Sequence, residues 1–63
     1  MTQPTYFFDG ESIQRRAVGS EKGYRLEPDE AQRLAVIFDS MGSETYADEL
    51  RTAIEEYEAT YVA

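Results

Sequence analysis

The sequence contains no cysteine, histidine, tryptophan or asparagine, and a single lysine, Lys22. Without cysteine there is no disulfide framework. Without cysteine and histidine there is no Cys/His zinc site, and no Ser–His or Cys–His nucleophile. No apolar run approaches the roughly 18 residues that a membrane-spanning helix needs. The opening residues MTQPTYFFDGE lack the basic and long apolar regions of a secretion signal, so a cytoplasmic location is expected. A chain of 63 residues supports one domain, residues 1–63. A domain this small buries only ~60% of the surface its unfolded chain exposes. Such domains compensate with disulfides, metals, oligomerisation or dense packing. Here five tyrosines, three phenylalanines and the aliphatic residues must supply the core. Assembly into a homodimer is compatible with the same arithmetic.

What is present reads as a short antiparallel meander over residues 5–26, then two helices, an α+β domain. Thr5-Tyr6-Phe7-Phe8 is an aromatic strand after Pro4. Asp9-Gly10 is a dipeptide favoured in two-residue type I′ hairpin turns. The return strand is expected from Glu11 to Val18, pairing Phe8 with Glu11, Phe7 with Ser12 and Tyr6 with Ile13. That puts Tyr6 and Ile13 on one face. Gly19-Ser20-Glu21-Lys22-Gly23 is turn-like, and Tyr24-Arg25-Leu26 reads as a third strand. Pro28 suits a first helical turn, and Asp29 and Glu30 complement the positive end of the helix dipole. Glu27 before them is not a favoured N-cap. A helix over 28–41 follows, with Leu34, Ile37, Phe38 and Met41 as its buried stripe and Gly42 as its stop. A second helix over 44–61 is expected, capped by Ser43 or by a Thr45–Asp48 capping box. Its apolar stripe runs through Tyr46, Leu50, Ala53, Ile54, Tyr57 and Tyr61.

Charge divides the chain. The whole carries a net −7. Residues 1–26 hold three acids (Asp9, Glu11, Glu21) against four cations (Arg15, Arg16, Lys22, Arg25), a net +1. Residues 27–63 hold ten acids against Arg33 and Arg51, a net −8. On the second helix Glu44, Asp48, Arg51, Glu55 and Glu58 fall at alternating spacings of four and three, one helical face. Glu49 and Glu56 flank them. Glu44 to Glu58 spans about 21 Å at roughly 1.5 Å per residue. A DNA strand carries a phosphate about every 3.4 Å of axis, so the helix presents negative charge at broadly comparable though sparser intervals. An amphipathic helix also needs a polar face, and a charge run is commonly a solvated surface. Six carboxylates between residues 44 and 58 against one arginine depart from the mixed signs of ordinary surfaces.

Other chemistry finds little footing. Calcium needs six to eight oxygens from a curved loop, which Glu55, Glu56 and Glu58 on a straight helix do not supply. Paired catalytic carboxylates need a cleft that separates and tunes them, and a chain of this size has little room for one. No catalytic residue, metal ligand or cofactor-binding residue is therefore assigned, and the chain does not read as an enzyme. Arg15 and Arg16, with Lys22 and Arg25 nearby, form a small basic cluster, and Arg15 and Arg16 are expected to pair with acids of this chain or of a second copy. Tyr46 and Tyr57 are expected in the core, and Tyr61 at an interface.

In size and charge, over its whole length, the chain resembles the small acidic inhibitors made by bacteriophages and mobile elements, anti-CRISPR proteins among them. That resemblance implies a protein–protein role inside a bacterial host. Its partner would be a basic nucleic-acid-binding protein or a CRISPR effector complex, blocked by electrostatic mimicry of DNA or RNA. The expected partner-binding residues are Glu44, Asp48, Glu49, Glu55, Glu56, Glu58 and Tyr61. Direct binding of nucleic acid or membrane is not expected, and no cofactor is implied. Two alternatives remain open: an antitoxin-like or accessory subunit that neutralises a basic protein, and an ordinary acidic domain of a halophile.

Overall fold

The computed structural model describes residues 4–17, 19 and 23–62. Strands β1 (Pro4–Phe8), β2 (Ile13–Ala17) and β3 (Gly23–Leu26) form one antiparallel sheet in the order β1-β2-β3. Helices α1 (Pro28–Ser40) and α2 (Glu44–Tyr61) follow and pack against each other, with α2 laid along β1. The architecture is the α+β arrangement that the sequence implies. The Val18 end of the expected return strand and residues 20–22 of the following turn lie outside the described residues.

The first hairpin turns one position later than the Asp-Gly signal suggests. Phe8 pairs with Ile13, Phe7 with Gln14 and Tyr6 with Arg15, not with Glu11, Ser12 and Ile13. Asp9 N–H donates to the Ser12 carbonyl across the loop (3.1 Å), so Gly10 and Glu11 are its two central residues. A type I′ turn centred on Asp9-Gly10 would need positive φ at both. No described residue other than glycine has positive φ, and Gly10 lies at 101°. With glycine first, only one residue takes that conformation. The Asp9 carboxylate supports the turn instead, accepting the N–H groups of Glu11 and Ser12, each at 2.8 Å. The two-residue shift preserves parity, so Tyr6, Phe8, Ile13 and Leu26 still share a face, the one the helices cover.

Both helices start and stop near their expected bounds. Glu27 is extended (φ −69°, ψ 150°) and makes no side-chain cap. At the other end Ser43 N–H donates to the Phe38 carbonyl (2.8 Å) and Gly42 N–H to that of Asp39 (3.1 Å), a Schellman pair requiring the left-handed Gly42 (φ 80°). Ser43 occupies the N-cap of α2 without a side-chain bond. Thr45 and Asp48 lie inside that helix, so the expected capping box does not form.

The buried stripe of α1 also differs from the expected one. Ile37 is 50% exposed and Met41 69%, whereas Ala31 and Ala35 are buried, with Leu34 and Phe38 packed beside them. A periodicity count favours large side chains, but a close helix–helix approach favours small ones. Ala31, Ala35 and Ala53 join Leu50, Ile13 and Tyr6 in a single cluster. Turning the alanines inward carries Ile37 and Met41 out to the flank. On α2 the expected stripe holds as far as Tyr57: Leu50 and Ala53 are buried, Tyr46, Ile54 and Tyr57 are half-buried, and Tyr61 at its end is largely exposed.

These placements separate two substitutions of similar size. Leu50→Ala empties a fully buried site and should cost about 2–5 kcal/mol. Met41→Ala should stay within about 0.5 kcal/mol, as an exposed change does. Urea denaturation followed by circular dichroism measures both; equal losses would refute the orientation of α1.

Candidate functional site

The outer face of α2 is built as its spacing implies. Glu44, Asp48, Glu55, Glu56 and Glu58 are exposed, and Glu49 is half-buried. The face is not a uniform line. Glu44 and Asp48 form one acidic pair and Glu55 and Glu58 another, about 10 Å further along at roughly 1.5 Å per residue. Arg51 stands between the pairs, 3.3 Å from the Asp39 carboxylate of α1 and 3.9 Å from Asp48. Both contacts are largely exposed and each contributes only about 0–1 kcal/mol. They nonetheless direct the guanidinium toward the chain's own acids.

The second acidic pair lies toward the wrong end of the helix for stability. Glu58 lies in the last turn, where a carboxylate opposes the helix dipole by ~0.3–1 kcal/mol, and like charges three or four residues apart repel. No basic residue occupies the last turn of α2 to offset them.

Glu49 turns aside from this face toward the sheet. Since Asp9 and Ser12 form a hydrogen-bonded pair, the alternation of an antiparallel ladder aims the Tyr6 N–H away from β2. It donates to Glu49 Oε1 at 3.0 Å. Pro4, on the same edge, has no N–H to offer. Glu49 therefore covers an open strand edge of the kind that otherwise templates aggregation. Beside it an open groove of ≈ 290 Å³ runs between Tyr6, Phe7 and Phe8 on β1 and Asp48, Glu49, Thr52 and Glu56 on α2. No local signal in the sequence announces the contact, because its partners are 43 residues apart.

Tyr61 is 53% exposed but engaged on its inner side. Its ring centroid lies 4.9 Å from that of Tyr57 and 6.3 Å from that of Phe8, nearly perpendicular to the latter. Its hydroxyl stands 3.5 Å from the Gly10 carbonyl oxygen. Thus of the seven expected partner-binding residues, five carboxylates share the open surface of α2, while Glu49 and Tyr61 also hold the fold.

The basic cluster is divided. Alternation along β2 places Arg15 on the helix-covered face and Arg16 on the outer one. Arg16 stacks over Phe7 at 5.3 Å and shares the outer face with Arg25. The ion pairs seen among the described residues belong to Arg51, so the expected pairing of Arg15 and Arg16 with acids is not found there. Lys22 lies outside the described residues. Asp9 is held below the ordinary carboxyl value of 3.8, chiefly by the Ser12 N–H, then by that of Glu11, with Arg25 adding attraction.

Among the described residues no group of three or more acidic side chains is placed to hold a metal ion, and no helix is long and apolar enough to cross a membrane. No protein-family model matches the chain, and comparisons with curated proteins and with solved structures likewise find no match.

Two measurements check this geometry. Folding favours the charged form of Asp9, so its contribution to stability is complete above the unfolded value of 3.8 and is lost as pH falls through the lower folded value. A carboxyl NMR titration should place the Asp9 midpoint below 3.8. Glu49→Ala should expose the Tyr6 amide and speed its hydrogen exchange, with the Phe7 amide, directed at β2, much less affected; equal acceleration of both would mean that the sheet edge frays as a whole.

Proposed function

We propose that this protein is an interaction protein whose acidic α2 face occupies the basic nucleic-acid groove of a partner protein. One observation carries the reading. Glu55, Glu56 and Glu58 stand exposed in the C-terminal half of α2, whose last turn holds no cation, and Arg51, one turn before Glu55, pairs with Asp39 and Asp48 instead, so folding gains little from them. Departures from local stability rules concentrate where a sequence serves a function. Glu44 and Asp48 extend the same face, and Arg51 is already engaged by Asp39. Such a surface steers toward a positive groove over long range and replaces phosphates at several points along it. Some small phage-type inhibitors, which the chain resembles in size and charge, work in this mode, and the partner class proposed here is the same: a basic nucleic-acid-binding protein or a CRISPR effector complex.

Individually exposed carboxylates contribute about 0–1 kcal/mol, so the test changes several together. Reversing Glu44, Glu55 and Glu58 to lysine leaves the core stripe and the Asp39–Arg51–Asp48 contacts intact. Immobilised native protein should retain a nucleic-acid-binding protein from nuclease-treated bacterial lysate. Duplex DNA or added salt should release it, and the triple reversal should not retain it. If the triple reversal retains the same protein equally well at low salt, the acidic face is only a solvated surface. The protein alone should leave bare duplex DNA unshifted at physiological salt, since its net −7 charge repels phosphates.

A further inference from the structure

We propose that the chain pairs with a second copy through the open edge of β3, forming a two-fold dimer with a continuous six-stranded sheet. The ladder alternation that aims Tyr6 outward from β1 also settles what β3 presents. Gln14 and Arg16 bond toward β1, so Ile13 and Arg15 bond toward β3, facing Leu26 and Tyr24. Gly23 and Arg25 are left aiming their N–H and C=O groups away from the sheet. A two-fold axis beside Tyr24 matches these four groups without remainder. Gly23 faces Arg25 of the second copy, Arg25 faces its Gly23, and each pair exchanges two hydrogen bonds. Gly23, lacking a side chain, leaves room for the stem of the facing arginine.

The same axis sets Tyr24 opposite Tyr24 of the second copy, at a non-hydrogen-bonded position where side chains approach most closely. Tyr24 lies on the face that the helices cover elsewhere, yet it is 71% exposed. A facing aromatic ring is a favourable cross-strand neighbour.

Charge selects this edge over the other. Two copies meeting at β1 would bring together the carboxylates of Asp48, Glu49 and Glu56, and there Glu49 already holds the Tyr6 N–H. At β3 the copies meet through Arg25, while the Asp48–Glu49–Glu56 side of α2 lies beside β1 at the opposite edge of the sheet. The pairing uses the edge opposite the α2 surface and does not depend on the partner proposed above.

Because the native chain has no cysteine, a single introduced thiol reports the contact. Paired residues at a non-hydrogen-bonded site have Cα atoms about 4.5 Å apart, within the roughly 4.4–6.8 Å a disulfide spans. Tyr24→Cys should form a covalent dimer under mild oxidation far faster than Val36→Cys, an equally open site on α1. In sedimentation equilibrium the native protein should rise with concentration from 7.2 kDa toward twice that mass. Arg25→Pro removes an outward N–H without touching the β2–β3 ladder and should hold the mass at 7.2 kDa. If that variant proves unfolded by circular dichroism, Tyr24→Lys replaces it with the same expected loss. The Glu44, Glu55 and Glu58 reversal should dimerise like the native chain. A native mass fixed at 7.2 kDa up to millimolar concentration overturns the proposal. So does a folded Arg25→Pro variant that still dimerises, or equal cross-linking at positions 24 and 36.

Discussion

Burial of the Tyr6 side chain between the sheet and the two helices is the contact on which the remaining structure depends. Its ring lies 5.8 Å from that of Phe38 on α1 and 6.0 Å from that of Tyr46 on α2. Those two rings are themselves 5.1 Å apart. Its backbone N–H is held by Glu49, so one residue of an edge strand touches both helices through its ring and one of them through its main chain. With the ring in place, Ile13 from β2 and Leu50 from α2 close the cluster at zero exposure. Large side chains from the sheet and both helices interlock around Ala31, Ala35 and Ala53, the close packing a domain too small for a deep core requires. The long polar face of α2 is held outward because its opposite side carries Leu50 and Ala53 into this cluster.

How much of this was legible in the sequence depends on which force decides each feature. Helix bounds are set by local chemistry, Pro28 at one end and Gly42 at the other, and they agree with the structure to within one residue. The sharing of a face by Tyr6 and Ile13 also survives, because it rests on parity. The hairpin register fails by two residues because two turn geometries compete for the same Asp-Gly pair. The winner is decided by the Asp9 carboxylate accepting two N–H groups, which a dipeptide preference does not encode. The α1 stripe fails for a different reason. Counting large apolar side chains finds Ile37 and Met41, but Ala31 and Ala35 let the helices approach, and alanine leaves almost no trace in a hydrophobic periodicity. The polar face of α2 was legible in full, since exposure there follows from helix geometry alone. The second role of Glu49 was not, because it is a tertiary contact.

The fold turns a charge asymmetry along the sequence into one in space. α2 lies over β1, so the acidic face and the Arg16–Arg25 face of the sheet point in different directions from one small core. An extended chain would let ten acids of the second half be screened by cations of the first. Folding prevents this among the described residues, where Arg51 supplies the ion pairs seen. The cost is like-charge repulsion within α2, worth a few tenths of a kcal/mol per pair on a solvated helix. On the proposed reading, a partner with a positive groove would remove that repulsion on binding, so part of the affinity would come from relief of strain in the free protein and not only from new contacts. That relief diminishes as salt rises, because added ions screen the repulsion beforehand.

The proposed dimerisation through β3 and the proposed recognition through α2 would reinforce each other geometrically. Pairing at β3 puts the two β1 strands at opposite ends of a six-stranded sheet, five strand spacings apart, or about 24 Å at roughly 4.8 Å each. Because α2 accompanies β1, the two acidic faces stand at the far ends of the proposed dimer, on the same side of its sheet. Repulsion between them is then screened over more than two Debye lengths at physiological salt, each about 8 Å, so the dimer costs little electrostatically even for a protein of net −7. The arrangement also makes the dimer bivalent. Once one acidic face is seated on a partner with two basic sites at matching separation, the other is held nearby at high effective concentration. A monomer with one α2 face has no such gain, and its affinity would be limited to what five open carboxylates and one engaged arginine provide.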